Sequence, residues 1–172
     1  MGSVSNEIVN CLFFGTESED AANFYVSIFP NSKIKAIARF PDLGDGNPNP
    51  SHKPGSVLTV NFTLNGKEFT ALNSKPSSIQ FNESVSFQIM CDTQEEVDHY
   101  WDKLSEGGDP KTQMCGWLKD KFGVSWQVVP KLLPEIFSTG DPEKSARSMK
   151  AFSAMKKINI QAVRDAAEGK GS

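Results

Sequence analysis

The chain has 172 residues, 38% of them apolar, and 18 basic against 21 acidic side chains give a formal charge of −3. That length holds one sizeable core or two half-domains sharing one. The near-balance of charge, with no basic block, excludes an electrostatic footprint for nucleic acid, and no apolar run approaches the ~20 residues that cross a bilayer.

The N-terminus, "MGSVSNEIVN", lacks the basic-then-apolar order of a secretory signal. Gly2 with Ser5 loosely resembles the short myristoylation pattern, although Asn6 stands where that pattern has Ser or Thr. Next, "LFFGTESEDAANFY" (Leu12–Tyr25) predicts a strand end and then a helix, with Thr16 and Glu19 as a capping box. "KIKAIARF" alternates as a strand and runs into "PDLGDGNPNPSHKPG", a loop too rich in turn formers for regular structure. "SVLTVNFTL" and "EFTALN" read as strands joined by Asn65-Gly66, a two-residue hairpin signal.

The plan then repeats. "SVSFQIMC" leads through Thr93 and Glu96, a second capping box, into a helix from Gln94 to about Leu104, closed by Gly107-Gly108. Thr16/Thr93, Glu19/Glu96 and Phe24/Trp101 share an offset of 77 residues, which implies paired modules. "TQMCGWLKD" and "VSWQVVP" follow as strands around a turn at Asp120–Gly123, so each half is roughly β-α-β-β-β with the second copy shorter. In the tail, Asp141 caps a helix with Pro142 at its first position. Ala146, Met149, Phe152 and Met155 form its apolar stripe, and a shorter helix from about Asn159 buries Ile160 and Val163.

Strand alternation separates two faces. Leu58, Val60, Phe62 and Leu64 oppose Thr59, Asn61 and Thr63; Val85, Phe87, Ile89 and Cys91 oppose Ser86, Gln88 and Met90; Trp126 and Val128 oppose Ser125, Gln127 and Val129. The apolar faces are expected under the capped helices. The polar faces are either the ordinary solvated side of a sheet or a polar cup rimmed by aromatics such as Trp117 and Phe13.

Catalytic side chains are sparse. His52 lies in the glycine/proline loop, and His99 sits on a helix beside Asp98, with no H-E-x-x-H spacing. Cys11, Cys91 and Cys115 are an odd number without C-x-x-C spacing, which fits reduced thiols in the cytoplasm rather than a disulfide framework. Glu17, Glu19 and Asp20 suit a first helical turn, where the macrodipole favours negative charge. Lys119 and Lys121 read as solvated turn residues.

With these elements placed, the chain resembles the PhnB-like (demethylubiquinone methyltransferase-like) branch of the vicinal oxygen chelate superfamily, which includes glyoxalase I, bleomycin-resistance proteins and extradiol dioxygenases. The resemblance rests on "LFFGTESEDAANFYVSIFPNSKI", "KPGSVLTVNFTLNGKEFTALN", "FNESVSFQIMCDTQEEVDHYWDKLSEGG" and "CGWLKDKFGVSWQVVP", which cover most of residues 8–130. It implies an α+β fold in which paired βαβββ modules form a curved mixed sheet, followed by C-terminal helices. The modules span about 7–80 and 83–130 and the tail 131–172, as one glyoxalase-like domain, usually a homodimer. Metal-using members place His or Glu at four inward strand positions. By strand parity these fall near Val9 or Asn10, Ala71 or Asn73, Ser84 or Ser86, and Gln127. None is His, Glu, Asp or Cys, so the divalent metal is expected to be absent.

No glycine-rich strand–helix turn for S-adenosylmethionine is found, and no cofactor is expected. The remaining candidate site is Phe13, Asn61, Asn73, Ser86, Gln88, Cys115, Trp117 and Gln127, a set suited to a small planar or amphipathic ligand. The expectation is a metal-free, ligand-binding homodimer in the cytoplasm, without nucleic-acid or membrane partners. Two alternatives stay open. One is an enzyme of lyase, isomerase, dioxygenase or transferase type with a non-standard site. The other is a regulatory protein acting through the C-terminal helices, whose removal would leave the pocket intact.

Overall fold

A computed structural model describes residues 8–44, 52–74, 76 and 78–170. The myristoylation pattern at Gly2 and Ser5 and the centre of the glycine/proline loop lie outside them. The chain forms two compact units, Met1–Ile79 and Gln80–Ser172.

In the first unit, β1 (Asn10–Phe13), α1 (Ser18–Ile28), β2 (Lys33–Arg39), β3 (Val57–Leu64) and β4 (Lys67–Leu72) follow in order. The sheet order is β1-β4-β3-β2, with β1 parallel to β4 and the other pairs antiparallel. Period-two alternation decides the faces: Val60, Phe62, Leu64, Phe69 and Ala71 are buried, whereas Asn61 is exposed. Helix α1 lays Ala21, Ala22, Tyr25 and Ile28 on that apolar face, and the Tyr25 and Phe62 rings stack with centroids 6.4 Å apart. Asn65 (φ 45°) and Gly66 (φ 76°) make the anticipated two-residue turn, whose left-handed backbone matches the twist of the flanking strands. Strand β2 is a largely exposed edge, with register shifts at Ile34/Ala36 and Ala38/Arg39.

The Thr16–Glu19 capping box does not form. Helix α1 starts at Ser18 with Glu17 at the N-cap, and Glu17 Oε2 accepts from the Thr16 N–H at 2.7 Å. The buried Ser18 N–H donates instead to Asn73 Oδ1 at 3.0 Å, an acceptor brought in just past the end of β4. A tertiary partner has replaced the local one, which sequence spacing could not show.

The second unit contains β5 (Phe87–Cys91), α2 (Gln94–Ser105), β6 (Trp117–Lys119), β7 (Ser125–Pro130), α3 (Leu132–Ser138), α4 (Pro142–Ser153) and α5 (Ile160–Ala167). Its sheet runs β5-β7-β6, with β5 parallel to β7. Here the predicted cap forms: Thr93 Oγ1 accepts from the Glu96 N–H at 3.3 Å, while Glu96 Oε2 reaches back to the Asp92 N–H at 2.6 Å. Leu118, Trp126 and Val128 are buried with Val97, Trp101 and Leu104 of α2.

Three expectations are corrected in this unit. Among the described residues it is β-α-β-β, one strand short of the first. "TQMCGWLKD" is not one strand: Pro110–Thr112 is a 3-10 turn, and Cys115 (φ 51°) with Gly116 (φ 83°) turns the chain between Met114 and Trp117. Val85, placed on the apolar face by alternation, precedes β5 and is 71% exposed.

Asp141 caps α4 and Asn159 caps α5 through their side-chain oxygens, with Pro142 opening α4 as expected. The stripe is different. Ser148 is buried in α4 and Phe152 half-buried, while Ala146 and Met149 are exposed. A three-residue step falls about 60° short of a full turn each time, so it leaves a helix face that steps of three and four hold. Leu133, Ile136, Ile158, Val163 and Ala167 build the tail's core, with Phe152 and Met155 packed on it.

The tail is integral to the second unit. The Cys115 and Gly116 N–H groups donate to the Met155 and Lys156 carbonyls at 2.8 and 2.9 Å. Gln94 on α2 accepts from the Ile160 N–H at 2.8 Å and donates to the Ile158 carbonyl at 3.2 Å. Lys157 bridges Asp98 and Asp102 at 3.0 and 3.1 Å. Removal of the tail therefore breaks bonds to the turn that opens β6, so it is not a detachable appendage.

Candidate functional site

Strand register assembles the most coherent polar set. Gln88 pairs with Gln127, and Gln127 with Trp117, so the three side chains form one row across β5, β7 and β6. They share the face opposite Trp126 and Val128 because side chains alternate along each strand. The Gln127 amide is fixed from both ends: Nε2 donates to Ser86 Oγ at 2.7 Å, and Oε1 accepts from Gln88 Nε2 at 3.0 Å. Trp117 and Gln127 are half-buried and Gln88 is exposed.

The same alternation adds residues that the sequence reading missed. Two positions beyond Trp117 is Lys119, a strand residue rather than a solvated turn residue, paired with Glu83. The Lys119 hydrogen bond is the leading reason that Glu83 sits below the usual carboxylate range. Two positions beyond Gln88 and Gln127 are Met90 and Val129. The face thus grades from an ion pair, through an amide and indole row, to an apolar end. Period two counted from Trp117 was the signal that could have included Lys119.

Cys115 lies in the turn before β6 and not in that row; its thiol meets the Ser153 carbonyl at 3.5 Å. In the first unit, Phe13 is half-buried opposite Leu72, and exposed Asn61 accepts from Thr70 Oγ1 at 3.0 Å. Asn73 is only 5% exposed. Besides holding Ser18, it donates from Nδ2 to the Val57 and Thr16 carbonyls at 2.9 and 3.3 Å. Its amide therefore ties β4, β3 and the start of α1 together.

The four metal-equivalent positions do not fit a divalent transition metal. Asn10 Nδ2 donates to the Glu68 carbonyl, Asn73 is committed as above, and Ser86 and Gln127 bond each other. Ala71 is fully buried on the core face. These are neutral amide and hydroxyl groups, whereas zinc, nickel and iron take imidazole, thiolate or carboxylate. Among the described residues, no group of three or more His, Cys, Asp or Glu converges.

The two histidines are placed differently. His99 is exposed on α2, its ring edge-on to Tyr100 at 5.0 Å. His52 stacks on Phe40, with centroids 4.2 Å apart and planes at 16°, and its Nε2 hydrogen-bonds Ser74 Oγ. Burial is the leading cause that pushes the Cys91 thiol up to about 12, with Glu96 and Asp92 adding to it. That thiol is on the core side of the sheet.

Paired strand–helix modules, each presenting a sheet with one open face, define a protein of the vicinal oxygen chelate superfamily, α+β in class. Within it, the chain belongs to the 3-demethylubiquinone-9 3-methyltransferase family, whose model matches residues 6–129. A PhnB protein from Bacillus cereus, provisionally described as a 3-demethylubiquinone-9 3-methyltransferase, is 36% identical, with 73% of this chain and 99% of that chain covered at a TM-score of 0.60. A Pseudomonas aeruginosa protein of known structure shares the fold at 20% identity, covering 73% of this chain and 98% of its own, with a TM-score of 0.56. The fosfomycin resistance protein FosX from Mesorhizobium loti does so at 9% identity, 78% and 98% coverage, and a TM-score of 0.52. No protein of curated function matches the chain. No helix among the described residues is long and apolar enough to cross a membrane.

Proposed function

We propose that this protein binds a small planar or amphipathic molecule, without a divalent metal, on the open face carrying Ser86, Gln88, Trp117 and Gln127. The observation that carries the reading is the oriented amide row. Gln127 is held by Ser86 and Gln88, beside an indole that supplies a flat apolar surface. Met90 and Val129 offer an apolar margin for a tail, and Lys119 with Glu83 closes the other end. Phe13 and Asn61 on the first unit's open face are the proposed contacts there. The demethylubiquinone named in the family description is a planar ring on an apolar tail, in keeping with this ligand class.

The working form is proposed to be a homodimer. Light scattering should return twice the 18.9 kDa chain mass.

The test is intrinsic fluorescence. Trp101 and Trp126 are 6% and 2% exposed, so a quinone analogue that quenches saturably reports on half-buried Trp117. Trp117→Phe should remove the response. Gln127→Ala should weaken binding about 2- to 10-fold, the worth of one hydrogen bond. Non-saturable quenching across quinones and flavin-like rings would sink the binding reading. Near-stoichiometric zinc, nickel or iron that is lost in Gln127→Ala would sink the metal-free part.

The family description favours a second reading, in which the bound quinol is methylated. The protein must then also bind S-adenosylmethionine, and calorimetric titration with that donor separates the two readings.

A further inference from the structure

We propose that Ser74 and His52 form a nucleophile–base pair that accepts acyl groups from activated carboxylic esters or thioesters. It lies at the end of β4 in the first unit, whereas the amide row belongs to the second. Ser74 Oγ is hydrogen-bonded to His52 Nε2, the contact a general base needs to take the hydroxyl proton. Both side chains are half-buried, so they are packed yet reachable.

The backbone makes the pair unusual. Among the described non-glycine residues with positive φ, Asn31, Asn65 and Cys115 sit at 45–52°, in or near the left-handed helical well. Ser74 sits at 95°, beyond it. A serine there is strained where glycine would not be, and such strain persists only when the surroundings impose it. Here they do. The Ser74 N–H donates to the Gly15 carbonyl at 3.0 Å, and the Asn73 N–H to Leu58 at 2.8 Å. The Asn73 side chain adds three further bonds.

The base is held as well. Phe40 stacks on the imidazole, and its own backbone is pinned by Phe40 N–H to the Ser56 carbonyl and Gly55 N–H to the Phe40 carbonyl, both at 2.9 Å. A side chain kept in a costly backbone state, aimed at an oriented imidazole, is the arrangement that nucleophilic serines use.

The chemistry balances without a co-reactant. With the imidazole proton on Nδ1, Nε2 takes the Ser74 hydroxyl proton as Oγ bonds to the acyl carbon. The bond from that carbon to the leaving oxygen or sulfur breaks, and the proton passes from His52 to the leaving group. Water then cleaves the acyl-serine by the same proton path in reverse. The Ser74 N–H is spent on Gly15 and cannot stabilise the oxyanion, so the reaction is slow and needs a good leaving group.

The test uses the full chain with p-nitrophenyl acetate, followed by intact mass and peptide mapping. One acetyl group should appear on Ser74, be absent in Ser74→Ala, and form about 10²-fold or more slowly in His52→Gln at unchanged thermal midpoint. Acetylation that spares Ser74, or proceeds at the parent rate in His52→Gln, overturns the proposal. If His52→Gln fails to fold, Ser74→Cys serves: its thiol should alkylate with iodoacetamide faster than exposed Cys11 in the same molecule. Equal or slower alkylation overturns the proposal too.

Discussion

Asn73 offers the sharpest test of how the first unit is held. Replacing it with alanine removes three side-chain hydrogen bonds, at 2.9, 3.0 and 3.3 Å, and strands the N–H of fully buried Ser18. At about 1 kcal/mol per bond, with a further 1–3 kcal/mol for a stranded buried donor, the loss is about 4–6 kcal/mol. For a chain of this size that lowers the thermal midpoint by roughly 8–24 °C. Asn73→Asp separates the roles of the two amide ends. Its carboxylate keeps an acceptor for Ser18 but turns a second oxygen toward the Val57 and Thr16 carbonyls, inside the unit. The cost at neutral pH should therefore exceed that of alanine.

The pH dependence follows by linkage. Burial against carbonyls raises the introduced carboxyl's pKa in the folded state, so the folded chain keeps a proton that the unfolded chain releases above about 3.9. Relative to Asn73→Ala, stability should fall as pH rises from 4 towards 7 and recover on acidification. Differential scanning fluorimetry of the parent and both variants at pH 4–8 measures this. An Asn73→Asp protein as stable as the parent at pH 7, or a deficit that ignores pH, would refute the capping role.

Further predictions concern the second unit. A Cβ on Gly116 would lie 2.7 Å from the Val128 carbonyl and 2.9 Å from Ile158 Cδ1, at φ 83°. Gly116→Ala should cost about 2–4 kcal/mol in urea unfolding, and a change below about 0.5 kcal/mol contradicts the packing. Cys91 is 1% exposed with its thiol raised from 9.0 to about 12, so Ellman's reagent should leave it unmodified in the folded protein while reaching exposed Cys11. Folded Cys91 keeps its proton where the unfolded thiol has lost it, so its contribution to stability is full below pH 9 and declines towards about 12. Deleting residues 141–172 should cut quinone-induced quenching as well as stability, because Cys115 and Gly116 lose their carbonyl partners; unimpaired binding would show the tail to be separable.

Much of the architecture could be read from local chemistry. Asn65-Gly66, the Thr93 cap, Asp141-Pro142 and the alternation in β3 and β7 each depend on neighbours within a few residues, and each was found where expected. The misreadings have two causes. Ser18 is capped by a residue 55 positions away, Ser148 rather than Met149 faces the tail core, and a left-handed Cys115 interrupts what alternation took for a strand. The first and third were decided by tertiary partners, the second by the drift of a three-residue step around the helix. The candidate site divides in the same way. Gln88, Gln127 and Trp117 follow from strand parity, and their register puts them in one row. Asn73 has instead the parity of buried Phe69 and Ala71, and it is spent on helix α1. His52 and Ser74 carry no motif, because their pairing rests on a backbone angle that spacing does not encode.

The two units solve one structural problem by unlike means, and this bears on where function can vary. Helix α2 is capped locally by Thr93, so its start makes no demand on the end of a strand. That leaves the open face of β5 and β7 to be set by side chains such as Ser86 and Gln127, which can change without loosening the helix. Helix α1 borrows its cap from Asn73, so the end of β4, the start of α1 and the neighbouring Ser74 form one cooperative junction. Substitutions there alter stability and site geometry together. The first unit therefore has a rigid corner able to hold a strained residue, and the second has a face whose polarity can be retuned residue by residue.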